Sequence, residues 1–348
     1  MRKNIIAAAL MSLCLLFTGC NNEVNNNSPS ETSTVISDST AESDVQIEAA
    51  AGFHVDGTKL LDANGNEFIM RGINHAHVWF KDKLETALDG IAAAGANTVR
   101  IVLADGDQWE KTTAEDLENT ILECNKRKMI AVVEVHDACG MDDRSYLDHA
   151  VDYWIEMKNV LAKYTDTAIL NITNEWIGQW NAEAWHDGYV DAVARLRAAG
   201  IKNTIMVDAA GWGQYGESIH KYGAEVFAAD PDGNTMFSIH MYGSAGKNAG
   251  TITRNLKGVT DQELCTIVGE FGFNHSDGDV DEAFIMQYCT ENGLGYLGWS
   301  WKGNGGGVEY LDIAVDWGGE TLSEDWGEPL INGEFGIKST AKTCSVFE

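Results

Sequence analysis

Eight short runs of apolar and β-branched residues recur along the chain, and this repeat limits the folds that the chain can adopt. The runs start roughly 30 to 40 residues apart, which is the length of one strand, one helix and their loops. Most are apolar almost throughout, as strands are when a parallel sheet buries both of their faces. They cover residues 68–73, 97–103, 129–135, 168–173, 204–207, 236–239, 265–268 and 295–299. Eight such units predict an α/β fold, a closed (β/α)8 TIM barrel, rather than an open doubly wound sheet.

Helical patterns fill several of the intervals between these runs. Residues 114–128 carry an apolar stripe and follow Thr113, whose hydroxyl can cap the start of a helix. Comparable stripes predict helices over residues 84–94, 153–164, 185–198 and 283–289. No GxGxxG or GxxxxGK(S/T) motif follows a run, so the nucleotide sites of open sheets are not expected.

A short hairpin is predicted ahead of the first run. Turn signals occur at Asp56-Gly57 and at Asn64-Gly65, within residues 53–68. We expect this N-terminal β-hairpin to cap one end of the barrel.

The first fifty residues have a different composition. Arg2 and Lys3 precede an apolar stretch that ends at Thr18-Gly19-Cys20, which predicts an export signal over residues 1–19. The residues before Cys20 resemble the lipobox of bacterial lipoproteins, which implies that Cys20 becomes the mature N-terminus and carries a lipid. Residues 20–50 are acidic and rich in Asn, Ser and Thr, so we expect a disordered linker. One folded domain would cover residues 51–348, outside the cytoplasm, in a membrane-anchored lipoprotein or a secreted protein.

The charge of the chain excludes one class of partner. The chain has 24 Lys and Arg against 53 Asp and Glu, a formal net charge of −29. Such a surface repels a phosphate backbone, so nucleic acid is not expected as a partner.

The cysteines do not have the spacing of a metal or redox site. Seven are present, and none has the CxxC spacing of zinc or redox motifs. One or two disulfides can form outside the cytoplasm, but the sequence leaves their pairing open. The five cysteines of the body are Cys124, Cys139, Cys265, Cys289 and Cys344.

Polar and aromatic residues cluster where the apolar runs end. In (β/α)8 barrels the carboxyl ends of the strands carry the active site, so these residues are the candidates for chemistry. They are His75, His77, Arg100, His136, Asp137, Asn174, Glu175, Asp208, His240, Tyr242, Glu270, Trp299 and Trp301.

Two of these residues suggest a reaction. Glu175 ends the fourth run and Glu270 ends the seventh, so they would almost face each other across an eight-stranded ring. Glycoside hydrolysis needs one carboxyl group that protonates the leaving oxygen and one ionised carboxylate that meets the positive sugar carbon. A lone Glu on so acidic a chain is usually a solvated surface charge. Placement of both residues at the ends of apolar strands favours catalysis instead.

The motifs around these glutamates resemble those of glycoside hydrolase family 5. Glu175 lies within residues 170–176 (LNITNEW), and Glu270 lies within residues 268–272 (VGEFG). The resemblance covers the chain from about residue 53 onward. It implies a retaining, two-step mechanism in which Glu175 is the acid/base and Glu270 the nucleophile, with a carboxyl separation of about 5 to 5.5 Å.

The resemblance also implies roles for the surrounding residues. Asn174 would bind the sugar 2-hydroxyl, a contact that tightens in the transition state. Arg100 and Tyr242 would keep Glu270 ionised, because a positive charge and hydrogen bonds to a carboxylate lower its pKa. The residues that would position the sugar and the acid/base are His136 and His240.

Aromatic residues near the strand ends are candidates for sugar platforms. Trp299 matches the family's platform tryptophan, whose ring would pack against the apolar face of a pyranose. Trp301 competes for that role, since residues two apart lie on the same side of a strand. Trp180 and His75 complete the expected substrate-binding set. Further subsites could use Trp79, Trp176 and Trp212.

Two patterns resemble metal sites, and neither is complete. His75-Ala76-His77 resembles the HxH motif of metal-dependent barrel hydrolases, but the fifth and eighth runs end in Asp208 and Trp299, not in that family's His and Asp. Asp277, Asp279 and Asp281 alternate as calcium ligands can, but Glu282 stands where an EF-hand loop needs Gly, so helix capping is expected there. No metal or cofactor is expected.

The substrate is predicted from longer stretches. Residues 72–77, 174–180, 298–304 and 326–337 resemble bacterial β-1,4-mannanases of family 5. They imply an endo-acting enzyme, a monomer, that binds β-mannan polysaccharide and its oligosaccharides. The alternative is a cellulase of the same family, because mannose and glucose differ at one hydroxyl. A glycan-binding surface protein without activity is a distant alternative, since binding alone does not require both carboxylates.

Overall fold

Each of the eight apolar runs forms one strand of a closed parallel barrel in the computed structural model, which describes residues 52–348. The twelve strands are β1 (His54–Asp56), β2 (Lys59–Leu61), β3 (Arg71–His75), β4 (Thr98–Leu103), β5 (Ile130–Val135), β6 (Ala168–Asn171), β7 (Ile205–Asp208), β8 (Thr235–Met241), β9 (Thr266–Phe271), β10 (Asn274–His275), β11 (Gly278–Asp279) and β12 (Gly295–Gly298). Strands β3 to β9 follow one another around the ring, and β12 closes it between β9 and β3. The predicted (β/α)8 barrel is confirmed.

Helices follow the barrel strands. They are α1 (Leu84–Ala93), α2 (Ala114–Lys126), α3 (Arg144–Leu161), α4 (Ala182–Ala198), α5 (Gly216–Ala228), α6 (Ala249–Thr260), α7 (Glu282–Glu291), α8 (Gly327–Asn332) and α9 (Ile337–Thr340). Short 3-10 turns cover His77–Trp79, Lys81–Lys83, Glu309–Leu311 and Ser345–Phe347. The predicted cap of α2 is present, because the Thr113 side chain accepts a hydrogen bond from the Asp116 backbone N–H at 3.1 Å.

Helix α3 begins earlier than predicted, and the structure adds α5, α6 and the short helices α8 and α9. Helix α3 begins at Arg144 rather than at residue 153, because the Asp143 side chain caps it by accepting from the Ser145 backbone N–H. Helices α5 and α6 were not predicted. Each contains an internal glycine, Gly223 or Gly258, which lowers helix propensity, and packing against the barrel compensates for it.

The N-terminal hairpin closes the amino end of the barrel. Strands β1 and β2 pair antiparallel around the turn at Asp56-Gly57. Phe53, Leu60 and Phe68 are buried in the same apolar cluster as residues from inside the barrel, such as Ile169. The predicted hairpin and its capping position are therefore confirmed.

The barrel interior changes from apolar to polar along its axis. On β5, Ile130 and Val132 belong to the inner apolar cluster, whereas the next inward residue is the buried Glu134. On β7, Asp208 follows Met206 in the same way. A layer of buried polar side chains therefore crosses the barrel near the carboxyl ends of the strands, where function is expected.

Several predictions concern features outside this barrel. The export signal (1–19), Cys20 and the linker (20–50) lie outside the described residues and stay predictions. Between residues 52 and 348, the five cysteines are all unpaired, so no disulfide is formed there. No helix of that same range has both the length and the apolar character to cross a membrane.

Candidate active site

Glu175 and Glu270 meet at the carboxyl end of the barrel. Glu175 lies in the loop that follows β6, and Glu270 lies near the end of β9. One carboxylate oxygen of each glutamate and one ring nitrogen of His240 all lie within 4.8 Å of one another. Both carboxyl groups are largely buried, with 7% of Glu175 and 3% of Glu270 exposed. This spacing fits the short carboxyl separation that the sequence predicts for a retaining mechanism.

An irregularity in β9 turns Glu270 into the barrel. Strict alternation would place Glu270 on the same side as Val268, which packs in the outer layer against the helices. The register with β8 slips here, since Ile239 pairs with Val268 while His240 pairs with Glu270. Gly269 is the extra residue, and a Cβ at this position would lie 2.2 Å from the Ser238 hydroxyl. This bulge re-aims the Glu270 side chain toward the cavity.

Arg100 connects the residues beneath the two glutamates. Its guanidinium is fully buried and donates to Glu270 Oε1 and to Asn174 Oδ1, both at 2.7 Å. It also donates to the side-chain oxygens of Asn171 at 2.9 Å and Asn74 at 3.0 Å. The planar fork of an arginine matches this set of acceptors, which a lysine could not satisfy.

Glu270 receives a second donor on its other oxygen. The Tyr242 hydroxyl donates to Glu270 Oε2 at 2.9 Å. The sequence predicted a lowered pKa for Glu270, but its burial outweighs its partners and raises the pKa above its ordinary value. His240 and Arg100 lower the pKa in part, and the nearby Glu175 carboxyl group raises it again. Arg100 and Tyr242 therefore offset the desolvation of the carboxylate without reversing it.

Glu175 contacts a histidine and a cysteine. His240 Nδ1 lies 2.7 Å from Glu175 Oε1, and the Cys139 thiol donates to Glu175 Oε2 at 3.2 Å. Although burial lowers the pKa of His240, the carboxylates of Glu270 and Asp208 raise it to about 10, so the ring is a cation. Burial and the Glu175 carboxyl group raise the pKa of Cys139 well above its ordinary value, so the thiol stays neutral.

His136 and Asn174 lie beside the two glutamates. His136 Nδ1 lies 3.0 Å from the buried Glu134 carboxylate, and His136 Nε2 lies 3.4 Å from Asn174 Nδ2. Burial lowers the pKa of His136, but the Glu134 carboxylate outweighs it, and the net shift is upward. Since Arg100 occupies the Asn174 carbonyl oxygen and one amide N–H faces His136, the other Asn174 N–H is left to serve a ligand.

These side chains line one open cavity of about 530 Å³. Its walls are His136, Cys139, Asn174, Glu175, Trp180, Gly211, Trp212, Gln214, Tyr242, Ser244, Glu270, His275, Ser276, Asp277 and Trp299. Sequence reasoning did not single out Cys139, Gln214, Ser244 and His275 as site residues. All four lie between a barrel strand and the helix that follows it, three in loops and His275 in the short strand β10, and that position was the available signal.

Three tryptophans expose ring surface at this cavity. Trp299 lies parallel to the His136 ring, with the centroids 5.8 Å apart, and its indole N–H donates to Asn304. Trp180 is 55% exposed and Trp212 is 49% exposed. A flat, exposed indole in a polar cleft is suited to the apolar face of a sugar ring.

Glycine residues pack closely against the rings of Trp180 and Trp212. A Cβ at Gly140 would lie 2.1 Å from the Trp212 ring, and a Cβ at Gly211 would lie 3.1 Å from the Trp180 ring. One side of each indole therefore packs on backbone, which leaves the other side open to the cavity.

Two predicted substrate-binding residues do not reach the cavity. Trp301 is fully buried, and its indole donates to the Trp317 carbonyl. Because β12 ends at Gly298, the alternation that would pair Trp301 with Trp299 does not continue that far. His75 is fully buried and belongs to the outer side of β3, since its neighbour Asn74 points inward to Arg100. These two predictions were wrong.

Two other candidates among the sequence-predicted residues are also structural. Trp176 is 1% exposed and its indole donates to the Asp143 carbonyl, so it forms part of the core. Asp281 caps α7 by accepting from the Phe284 backbone N–H, as the sequence predicted.

The donor set of the site does not fit a metal ion. Within residues 52–348, Glu175, His240 and Glu270 are the three ligand-type side chains close enough to share one. His240 already pairs with Glu175, and Arg100 places a buried positive charge 2.7 Å from Glu270, which opposes a second cation. The two histidines of the HxH motif do not converge on the cavity either, because His77 pairs with Asp116.

Known proteins resemble this chain over nearly the whole barrel. The model of the cellulase family (glycosyl hydrolase family 5) matches residues 61–305. A mannan endo-1,4-beta-mannosidase of Salipaludibacillus agaradhaerens is 55% identical over 297 residues, which are 85% of this chain and 96% of that protein. A mannan endo-1,4-beta-mannosidase of Streptomyces lividans is 44% identical over 303 residues, which are 86% of this chain and 78% of that protein.

Solved structures agree with the sequence comparisons. The mannohexaose complex of the Thermomonospora fusca beta-mannanase superimposes with a TM-score of 0.81 at 44% identity, over 86% of this chain and 100% of that chain. The matching family model, the two relatives and the shared barrel lead to one conclusion: the chain belongs to glycosyl hydrolase family 5.

Proposed function

We propose that the chain is a retaining, endo-acting hydrolase of β-1,4-mannosidic bonds. The observation that carries this proposal is the pair of buried carboxyl groups of Glu175 and Glu270, which lie within 4.8 Å of each other through their nearest oxygens. An inverting enzyme needs room for a water molecule between its carboxyl groups, and this spacing leaves none.

The geometry supports a double displacement. In the first step the protonated Glu175 donates its proton to the glycosidic oxygen while Glu270 attacks the anomeric carbon, which forms a glycosyl–enzyme ester and releases the leaving sugar. In the second step Glu175 removes a proton from water, which attacks the same carbon and frees Glu270. Arg100 and Tyr242 hold Glu270 in the position from which it attacks.

Mannan is the proposed substrate because the relatives that cover this barrel are named for it. Glucan is the alternative, since the matching family model is that of the cellulases. The two sugars differ at the 2-hydroxyl, and Asn174 lies where it could bind that group, next to the catalytic pair.

Endo action is supported by a cleft that continues past the catalytic residues. A second groove of about 490 Å³ shares Trp180, Gln214, Ser244 and Asp277 with the catalytic cavity. A cleft that extends beyond the cleaved bond accepts internal segments of a polymer rather than chain ends alone.

Release of reducing sugar from galactomannan and from carboxymethylcellulose tests the proposal. We expect rapid release from galactomannan, little from carboxymethylcellulose, and loss of turnover in Glu270→Ala. Glu291→Ala, at the exposed end of α7, is the control and should keep full activity. Faster release from carboxymethylcellulose would make the enzyme a cellulase, and turnover in Glu270→Ala would contradict its role as nucleophile.

We also propose that the protein is anchored at the cell surface through a lipid on Cys20 and acts as a monomer. The lipobox-like sequence before Cys20 supports the anchor, and a cleft formed by one chain supports the monomer. Labelled palmitate should enter the wild type but not Cys20→Ala, and light scattering should give the mass of one chain. Equal labelling of both proteins, or a dimer mass, would contradict these two points.

A further inference from the structure

Asp208 is a buried carboxylate that the two-step reaction does not use. It is the last residue of β7 and is fully buried. Its Oδ2 accepts a hydrogen bond from the Glu175 backbone N–H at 3.1 Å and lies 3.5 Å from His240 Nε2. Its Oδ1 accepts from the Asn171 side-chain amide at 3.2 Å. Asp208 therefore contacts both the main chain of Glu175 and the histidine that contacts the Glu175 side chain.

The charges around Asp208 show why a carboxylate is needed at this position. His240 Nδ1 faces Glu175, and its other nitrogen, Nε2, faces Asp208. Without Asp208, His240 Nε2 would face no carboxylate, and only Glu175 and Glu270, both at Nδ1, would compensate the buried imidazolium, whose charge burial disfavours. Burial raises the pKa of Asp208, but the charges of His240 and Arg100 and the hydrogen bond from the Glu175 N–H lower it to about 2, so Asp208 and His240 form a buried ion pair.

The titratable and charged side chains that surround this pair come from several strands. They are Arg100, Glu175 and Glu270, together with Tyr189 of α4, whose pKa the Asp208 charge helps to raise. Because these groups act on one another, a test must observe His240 itself and not only the overall rate.

The main chain of Glu175 has an unusual conformation. Its φ is 49°, in the left-handed region, where a residue with a Cβ is strained. The hydrogen bond from its N–H to Asp208 ties this conformation to β7. Strained main chain of this kind persists only where its surroundings hold it.

We propose that Asp208 is a positioning residue for the acid/base: it holds His240 as an imidazolium and fixes the main chain at Glu175, so that the Glu175 carboxyl group points at the glycosidic oxygen. This inference rests on the proposed retaining hydrolase function. Asp208 touches neither substrate nor reacting atoms, and its effect passes through Glu175 and His240.

Asp208→Asn removes the charge while keeping the shape of the side chain. The matched control is Asp230→Asn, because Asp230 is also a buried carboxylate and pairs with Arg197 at 2.8 and 2.9 Å, outside the cavity. Both variants are expected to lose stability, which thermal unfolding measures. Only Asp208→Asn should change the pKa of His240 and slow the protonation of the leaving group.

Nuclear magnetic resonance of ¹⁵N-labelled histidine measures the protonation state of His240. Its signal is identified because it is missing from the spectrum of His240→Gln. In the wild type and in Asp230→Asn, the ring should stay doubly protonated from about pH 6 to about pH 9. In Asp208→Asn it should titrate within that range. A wild-type His240 that titrates near the ordinary histidine pKa would overturn the proposal even if Asp208→Asn fails to fold.

Two substrates distinguish a misplaced proton donor from a general loss of activity. Cleavage of mannan needs a proton on the leaving oxygen. A dinitrophenyl β-mannobioside does not, because dinitrophenolate departs without being protonated. We expect kcat/KM of Asp208→Asn to fall about 100-fold on mannan but no more than about tenfold on the dinitrophenyl substrate. Equal losses on both substrates would overturn the positioning role. A wild type that hydrolyses neither substrate would instead refute the proposed function.

Discussion

Replacement of Tyr242 by Phe isolates one hydrogen bond to the nucleophile. The ring remains packed on His275, with the centroids 4.5 Å apart, while the 2.9 Å bond from the hydroxyl to Glu270 Oε2 is lost. Arg100 still holds the other oxygen of Glu270. The substitution therefore changes the stabilisation of the Glu270 carboxylate and little else.

The size of the effect follows from the charge on the acceptor. A hydrogen bond to a charged group contributes about 1.5 to 3 kcal/mol. One pKa unit corresponds to about 1.4 kcal/mol, so the pKa of Glu270, already raised by burial, should rise by a further 1 to 2 units or so. Glu270 must be ionised to attack, so activity at acidic pH is lost first.

The assay is the pH dependence of kcat/KM on galactomannan at constant ionic strength. We expect the acidic limb of Tyr242→Phe to move to higher pH by about 1 to 2 units. Tyr164→Phe is the control, because the Tyr164 hydroxyl donates to the Glu118 carboxylate at the same 2.9 Å distance, remote from the cavity. An acidic limb that stays in place while kcat/KM falls would refute this account of Tyr242.

Three further predictions separate binding from stability. Trp299→Ala should lower kcat/KM by about 10- to 100-fold with little change in urea unfolding. Trp301→Ala should instead lower the free energy of unfolding by about 3 to 5 kcal/mol. The reverse pattern would show that Trp301, not Trp299, is the sugar platform. Gly140→Ala should displace the Trp212 ring, which a Cβ would meet at 2.1 Å, and raise KM for mannohexaose; an unchanged KM would contradict a role for that ring. Thr113→Ala should cost about 1 kcal/mol in urea unfolding through loss of the α2 cap and leave kcat/KM unchanged.

The sequence was informative where one strong pattern repeats. Buried strands of a parallel barrel are apolar on both faces, so all eight could be located from residue type alone. Helices α5 and α6 were missed because residues such as Gly223 and Gly258 weaken the local helical signal, and their stability comes from packing against the barrel.

Side-chain direction was harder to predict than strand position. The bulge at Gly269 points Glu270 inward against the alternation of β9, while the end of β12 at Gly298 removes Trp301 from the cavity. His75 follows strict alternation and therefore points away from the site. Such local breaks depend on contacts between strands, which residue types along one strand do not record.

The buried partners of the site were also beyond sequence reasoning. Asp208 was recognised as polar and placed at a strand end, but its contacts with Glu175 and His240 depend on distances across three strands. The direction of the Glu270 pKa shift depends in the same way on how far burial outweighs Arg100 and Tyr242.

The most direct test of the central claim is the anomeric configuration of the first product, followed by proton magnetic resonance during hydrolysis of mannohexaose. A double displacement through Glu270 releases the β-anomer first, and the α-anomer appears only later by mutarotation. Appearance of the α-anomer first would show that water attacks directly. It would contradict the retaining mechanism that the spacing of Glu175 and Glu270 supports.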